Sequence, residues 1–428
     1  MITTTAITSP EISLNDEQAE AVRRLIDFLQ EPDPVSPFFV FAGYAGTGKT
    51  FCMREVVARA GAHAKYAYTA PTNKAAKVLK NVTGDACTIY SLLGLRVDKT
   101  GELKQIKAGK PPEGLSDLDV VFLDESSMVN KNLMQELKAS AERHQFKVVF
   151  MGDAAQLPPV GETHSPIWDL GVDAGLSKVM RHDNQILELV TDIRSQINSI
   201  APCISLKSNH DADGGVWKMT RQAFKESIYQ AAENGAFADG NLCKVIAWRN
   251  VKVNEYNDLI RNALFGAESQ SSPWMPGERI VAAMPCERGD IPLMNTDEEA
   301  VVESVVACKH PMEPKYQAFE LKSVTETGRT VRLLVCHPSS KAQFEADCQS
   351  LAHQATSSPK LWKKFWELKE IFHDIRYAYA ITAHRSQGST YENVWVDTQD
   401  ILLNRSRREA FQCLYVACSR PTTRLHLA

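Results

Sequence analysis

The chain has 428 residues, enough by length for about three domains and several hydrophobic cores. Its composition, 44% hydrophobic and 23% charged, is that of an ordinary globular protein, and no apolar run approaches the ~18–20 residues of a membrane span. A net charge of −4 excludes a bulk polycation, so any nucleic-acid partner must be met by a local groove.

Met1 to Ser9 is Thr-rich and lacks the basic-then-apolar layout of a secretion signal, which predicts a short disordered lead-in and a cytoplasmic protein. Ala21, Val22, Leu25, Ile26 and Leu29 form a helix stripe, which Pro32, Pro34 and Pro37 end. Pro37 to Ala42 is a short apolar run suited to a buried strand, and Lys49 to Ala60 has no Gly or Pro and suits a helix. Further strands are predicted at Lys65 to Ala70, Val120 to Leu123 and Lys147 to Met151, with helices at Asn73 to Lys80 and Lys131 to Arg143. This alternation predicts a parallel sheet wrapped by helices.

Leu95 to Ile106 reads as a small hairpin turning at Asp98 to Gly101. From Arg96 to Lys110 it carries Arg96, Lys99, Lys104, Lys107 and Lys110 against only Asp98 and Glu102, so it is a candidate contact for a charged polymer. A helix follows at Gln185 to Ile197, and a second α/β pattern begins with a strand at Lys244 to Trp248 and a helix at Val251 to Leu264. Ser269 to Gly277 is a linker. Beyond it, short strands near Arg279–Ala283, Ala300–Val306, Phe319–Lys322 and Thr330–Val335 suggest a small β-barrel, closed by helices at Lys341 to Gln354 and Lys360 to His373. The α/β pattern resumes with strands at Tyr377 to Thr382, Val394 to Val396 and Leu425 to Leu427, so the insertion splits the second α/β domain.

Ten cysteines are scattered with no C-x-x-C pair, which argues against a disulfide framework. The grouping of Cys336, His337, Cys348 and His353 fits no zinc spacing, and the aromatic stripe Trp362, Phe365, Trp366 and Phe372 beside Lys363 and Lys364 is read as packing.

The chemistry concentrates at strand ends. Gly43-Tyr44-Ala45-Gly46-Thr47-Gly48-Lys49-Thr50 is a complete G-x-x-x-x-G-K-T phosphate loop between a predicted strand and a predicted helix. Its glycines let consecutive N–H groups face phosphate, Lys49 suits the β- and γ-phosphates, and the Thr50 hydroxyl suits Mg²⁺. Val120 to Leu123 runs into Asp124 and Glu125. At the C-terminal end of a parallel strand, Asp124 would hold Mg²⁺ and Glu125 would orient or deprotonate a water. The next strand ends in Gly152-Asp153-Ala154-Ala155-Gln156, where Gln156 could sense the γ-phosphate.

Together with Ala70 to Ala76 and Leu123 to Met128, these motifs resemble superfamily 1 DNA helicases, specifically the RecD/Dda branch. Leu14 to Gln18, Val179-Met180-Arg181, Trp248-Arg249-Asn250, Ile381 to Thr390 and Leu414 to Arg420 resemble further motifs of that family, in order, over nearly the whole chain. Asn73 stands where Dda proteins commonly carry His, and Trp248-Arg249 replaces a Phe-Thr-like pair.

The resemblance implies an α/β fold of two RecA-like parallel-sheet P-loop domains with a pin hairpin and an SH3-like β-barrel insertion. Domain 1A would span residues 1–200 with the pin at 95–112, domain 2A residues 201–275 and 376–428, and domain 2B residues 276–375. ATP and Mg²⁺ are the implied cofactors. Gln18 would read adenine; Gly43, Ala45, Gly46, Thr47, Gly48, Lys49, Thr50 and Gly388 would hold the nucleotide, and Thr50 and Asp124 the metal. Lys49, Glu125, Gln156, Arg181 and Arg420 would act in hydrolysis, the arginines from across the cleft between the RecA-like domains. Pro71, Thr72, Asn73, Asn250, Thr382 and His384 would grip DNA. The implied activity is ATP-dependent 5′-to-3′ movement on single-stranded DNA with unwinding of forked duplex, in replication, recombination or repair. The implied setting is a monomer in the host cytoplasm if phage-encoded, with single-stranded-DNA-binding or replication proteins as partners and no membrane. The alternatives are a DNA-stimulated translocase that strips proteins without unwinding, and an ATP-gated DNA-binding scaffold.

Overall fold

The apolar run before the phosphate loop forms β1 (Phe38–Gly43), and its side chains alternate between two cores. Phe39 and Phe41 enter one cluster, Val40 the other, which is the period of two expected of a strand buried on both faces. The computed structural model describes residues 14–32, 34–60, 64–97, 103–105, 114–179, 185–289 and 291–428. It divides into two compact units, one of residues up to Pro71 with Ala75–Leu187, the other of Thr72–Lys74 with Glu188–Ala428.

In the first unit, α1 (Asp16–Gln30) precedes β1, followed by α2 (Lys49–Ala60), β2 (Tyr66–Ala70), α3 (Asn73–Thr83, its first two residues grouped with the second unit), β3 (Cys87–Thr88) and α4 (Ile89–Leu92). A short antiparallel pair, β4 (Leu95–Val97) and β5 (Leu103–Gln105), comes next, then β6 (Val120–Leu123), α5 (Lys131–His144), β7 (Lys147–Gly152) and β8 (Ala174–Leu176). The sheet order is β3-β2-β6-β7-β1-β8, and each of its pairings is parallel. Helix α1 starts on a full capping box, in which Asn15 accepts from the Gln18 N–H while the Gln18 side chain accepts from the Asn15 N–H. The pin tip and its Lys99, Lys107 and Lys110 lie outside the described residues.

The second unit takes in most of α6 (Gln185–Gln196), then β9 (Asn209–His210), β10 (Gly215–Lys218), α7 (Arg221–Glu233), β11 (Cys243–Ala247), α8 (Asn250–Phe265) and α9 (Glu268–Ser271). An insertion follows with β12 (Arg279–Ala282), β13 (Cys286–Arg288), β14 (Ile291–Met294), β15 (Glu299–Lys309), β16 (Gln317–Thr325), β17 (Thr330–Cys336), α10 (Pro338–Ser357) and α11 (Leu361–Lys369). The chain returns through β18 (Ile375–Tyr377), β19 (Ala380–Thr382), β20 (Tyr391–Val396), α12 (Thr398–Ile401), α13 (Arg407–Cys418) and β21 (Pro421–Leu427). A second sheet, ordered β19-β11-β20-β21-β10-β9, is parallel except at its β9 edge.

The barrel expectation needs refinement. The insertion is an antiparallel sheet ordered β17-β16-β15-β12-β18, and its two edges meet through His373 rather than through a strand ladder. His373 N–H donates to the Leu334 carbonyl (2.8 Å), its Nδ1 accepts from the Leu334 N–H (2.8 Å), and Nε2 lies 3.1 Å from the Glu287 carbonyl. Tyr377 to Thr382, expected as one strand, is two. β18 pairs with β12 of the insertion, whereas β19 pairs with β11 of the parallel sheet. The aromatic stripe also divides: Trp362, Phe365 and Trp366 pack on one another, but Phe372 packs against His310, Tyr316 and Phe344.

On the second sheet His426 lies between Trp395 (ring centres 4.6 Å apart, 14°) and Trp217 (5.3 Å, 27°). Burial, helped by Arg424, pushes its imidazole down to about 4 from the ordinary 6.5. Between those values the unfolded chain binds a proton that the fold refuses, so this stability is complete above the unfolded value and is lost as pH falls toward 4. Denaturant unfolding at about pH 7 and about pH 4.5 should show wild type losing about 2–3 kcal/mol more than His426→Phe. Equal losses would contradict this account of His426.

Candidate functional site

Parallel pairing brings the phosphate loop and the carboxylates to one edge. β7 separates β1 from β6, with Ala42 opposite Gly152 and Leu123 opposite Phe150, so the ends of β1 and β6 are two strand spacings apart. That is about 10 Å, the scale of a nucleotide's phosphates with a metal and a water.

The loop is held from three sides. Gly46 and Gly48 adopt φ of 79° and 92°, the left-handed region that favours glycine. The Gln18 amide donates to the Thr47 carbonyl (3.1 Å), and the Ala45 N–H donates to the buried Asp153 carboxylate (3.0 Å) at the end of β7. Lys49 Nζ folds into the loop and donates to the carbonyls of Gly43 (2.6 Å) and Tyr44 (3.2 Å). An ammonium in that position stands where it can be drawn onto phosphate oxygens as they arrive. Thr50 follows in the first turn of α2, whose N-terminus adds partial positive charge.

Asp124 and Glu125 sit half-buried at the end of β6. The Asp124 N–H donates to the Thr69 carbonyl of β2 (2.9 Å), and Asp124 Oδ1 accepts from the Glu125 N–H (2.8 Å). Glu125 has φ 50° and ψ 35°, a left-handed conformation that a Glu adopts only when its surroundings enforce it. Beside it the buried hydroxyls of Ser126 and Ser127 have no hydrogen-bond partner among the described residues. Gly152 leaves room for them: a Cβ there would lie 2.8 Å from Ser126 Oγ. Oxygen donors from Thr50 and Asp124, together with orphaned hydroxyls, are a donor set that suits Mg²⁺ and phosphate. Gln156 is buried just beyond Asp153.

In the second unit, Ala247 of β11 lies opposite Thr382 of β19, and the Ala383 N–H donates to the Ala247 carbonyl (2.9 Å). The Trp248–Asn250 and Thr382–His384 segments therefore leave adjacent parallel strands at one edge. The buried Asp400 organises the first of these. It accepts from the N–H groups of Trp248 and Arg249 (both 2.9 Å) and from the Arg249 guanidinium (2.6 Å), leaving Asn250 exposed as the first residue of α8. Thr382 Oγ1 accepts from the Arg385 N–H (3.3 Å). His384 is half-buried, 3.8 Å from the Glu409 carboxylate. Burial lowers its pKa against the pull of Glu409, so it is neutral at ordinary pH.

The remaining sequence candidates fall in different places. Pro71 is buried just after β2; Thr72 and Asn73 group with the second unit, where the Asn73 amide donates to the Thr296 carbonyl (3.3 Å). Gly388 has φ 70°. Arg420 is buried within its own unit, donating to the carbonyls of Val416 (2.8 Å) and Ser389 (3.1 Å) and to Ser419 Oγ (2.8 Å). Arg181 lies outside the described residues. Sequence reasoning missed Asp153 and Asp400. Asp153 was legible as an acid beside Gln156, but Asp400 carries no signal until the fold brings it to Trp248.

Residues 13–202 match the AAA domain family, and residues 377–428 match the UvrD-like helicase C-terminal domain family. The chain is 24% identical to the ATP-dependent DNA helicase dda of Enterobacteria phage T4, over 88% of this chain and 91% of that protein. It is 22% identical to the uncharacterised protein R530 of Acanthamoeba polyphaga mimivirus, over 96% and 99%. Among solved structures, the Pif1 helicase of Candida albicans has TM-score 0.51 at 16% identity, covering 97% of this chain and 94% of that one. A Pif1 structure concerned with unwinding at forked duplex DNA has TM-score 0.52 at 15% identity, covering 97% and 92%. These structural likenesses bear on the fold.

Gly48→Ala tests the loop geometry. The new Cβ would sit at φ 92° and 2.7 Å from the Gln18 amide. The expected result is a loss of about 1–2 kcal/mol of unfolding free energy together with weaker nucleotide binding. Unchanged stability and unchanged ADP affinity by calorimetry would contradict the strained-loop description.

Proposed function

We propose that this chain, a superfamily 1 helicase of the branch that holds RecD, Dda and Pif1, moves 5′ to 3′ on single-stranded DNA and unwinds duplex DNA, in replication, recombination or repair. The observation that carries the reading is the first unit's sheet edge, where a phosphate loop tied down by Gln18 and Asp153 shares one end with Asp124 and a strained Glu125. The phage and giant-virus relatives support a viral setting, with action in the host cytoplasm.

Gln18 reads the adenine edge of ATP from the base of the loop it braces. Gly43, Ala45, Gly46, Thr47 and Gly48 present N–H groups to the phosphates, and Gly388 belongs to the same nucleotide-binding set. Lys49 leaves the carbonyls of Gly43 and Tyr44 for phosphate oxygens. Thr50 and Asp124 would hold Mg²⁺, which when bound would supply positive charge against the phosphates. Glu125 takes the proton of the attacking water. Gln156 senses the γ-phosphate, and Arg181 and Arg420 stabilise its developing charge. Arg420 must give up its contacts with Val416 and Ser389 to do so, which would link its action to the Ser389 segment.

Pro71, Thr72, Asn73, Asn250, Thr382 and His384 grip the strand through hydroxyl, amide and neutral imidazole groups, which hold a backbone without reading bases. The protein acts as a monomer on single-stranded and forked DNA, with single-stranded-DNA-binding or replication proteins as further partners.

Glu125→Gln is the direct test. It removes the proton acceptor while leaving the loop and metal donors in place. DNA-stimulated ATP hydrolysis should fall about 100-fold or more with nucleotide binding retained. Hydrolysis at the wild-type rate would remove Glu125 from the mechanism as the group that takes the water's proton.

A further inference from the structure

Asp297 has φ 64°, one of three residues other than glycine with positive φ among those described. It lies between β14 and β15, in a turn that is heavily tied. The Asp297 N–H donates to the Ala282 carbonyl (3.0 Å), and the Ala282 N–H donates to the Glu298 carbonyl (3.1 Å). The Glu298 carboxylate accepts from the Asn295 N–H (2.9 Å) and from Arg329 (3.2 Å) beyond β16. A turn held this firmly can maintain a strained residue, and here the strain aims one carboxylate.

That carboxylate meets Arg385. The guanidinium donates through Nε (2.7 Å) and through Nη2 to Asp297 Oδ1, and Nη2 also reaches the Ala282 carbonyl (3.3 Å). Both side chains are about three-quarters shielded from solvent. Arg385 belongs to the Thr382–Ser386 segment, whose Thr382 and His384 are assigned to the DNA strand above. Two residues after Asp297, Glu299 opens β15 as a buried carboxylate bonded to Lys244 of β11 (3.1 Å), Arg279 (3.0 Å) and Lys74 (2.9 Å). Burial alone would raise its pKa, but Lys244, Lys74 and Arg279 more than offset this and hold it far below the usual carboxylate range. It is therefore a permanent charge anchored in the second sheet. One short turn thus joins the antiparallel insertion to the parallel sheet at two places, and one of these is the strand-gripping segment itself.

We propose that the Asn295–Glu299 turn is a strut, and that Asp297 is a positioning residue for unwinding. Through Arg385 it makes the insertion and the Thr382–His384 segment move as one body, so that each shift of the strand grip is delivered to the insertion. The proposal rests on the helicase reading above. It predicts a separation of two activities that a merely structural ion pair would not produce. Without the Asp297 carboxylate the motor still hydrolyses ATP on single strands, but its motion is no longer passed to the duplex.

The test is Asp297→Gly, which keeps the positive φ without strain and so preserves folding while removing the carboxylate. Asp297→Asn keeps an acceptor oxygen for Arg385 without the charge. DNA-stimulated ATPase and unwinding of a tailed duplex would be measured on both variants and on wild type. The expected result for Asp297→Gly is ATPase near the wild-type rate with unwinding slowed about tenfold or more, and Asp297→Asn in between. ATPase and unwinding falling in parallel, or neither falling, would overturn the strut while leaving the helicase reading intact. A wild type that hydrolyses ATP on DNA but unwinds nothing would overturn the reading itself and the strut with it.

Discussion

Parallel strand pairing is the constraint on which the rest depends. Because every pairing in the first sheet is parallel, the C-terminal ends of β1, β2, β6 and β7 share one edge. The phosphate loop, Pro71, Asp124 and Asp153 come from segments far apart in sequence, yet the strand direction alone delivers them together. The same rule acts in the second sheet, where β11 and β19 release the Trp248 and Thr382 segments side by side. Apolar runs that bury both strand faces are what make such sheets possible, and these runs are what β1, β6 and β7 are made of.

On this frame the functional segments are held by buried acids and by strain. Asp153 fixes the phosphate loop, Asp400 fixes the Trp248–Arg249 turn, and Glu299 gathers three cations. A buried carboxylate is costly to desolvate unless it is fully bonded, so each such acid tolerates only one local geometry. Glu125 and Asp297 add a second device, a left-handed backbone at a residue other than glycine. Each sits two residues from a strand, Glu125 after β6 and Asp297 before β15, where the sheet can enforce the conformation. A cavity of about 1010 Å³ in the second unit, around Arg261, Ser269 and Tyr377, is lined by none of these acids.

What was legible in the sequence was the chemistry carried by short contiguous strings. The loop from Gly43 to Thr50 and the Asp124-Glu125 pair could be placed because each follows an uninterrupted apolar run. α13 was recognised only as a motif, since Ala410 to Cys418 are all buried and show no helical stripe. β8 and β10 are only 3 and 4 residues long, too short for a period to show. The switch of the chain between sheets at Ala378 and Tyr379 was invisible because alternation reports a strand's faces, not its partner. Asp400 and Asp297 were missed for a related reason: their partners lie 152 and 88 residues away. The sequence context of Arg420 suggests a role at phosphate, whereas in the fold its guanidinium is bonded to Val416, Ser389 and Ser419.

The central claim is tested most directly by unwinding of a short duplex bearing either a 5′ or a 3′ single-stranded tail, with ATP and with Lys49→Ala alongside. Unwinding of the 5′-tailed substrate alone, lost in the variant, is the predicted result. It would establish catalysis and direction together. Unwinding from the 3′ tail would contradict the direction, and DNA-stimulated ATPase with no unwinding of either substrate would contradict the helicase assignment and leave a translocase.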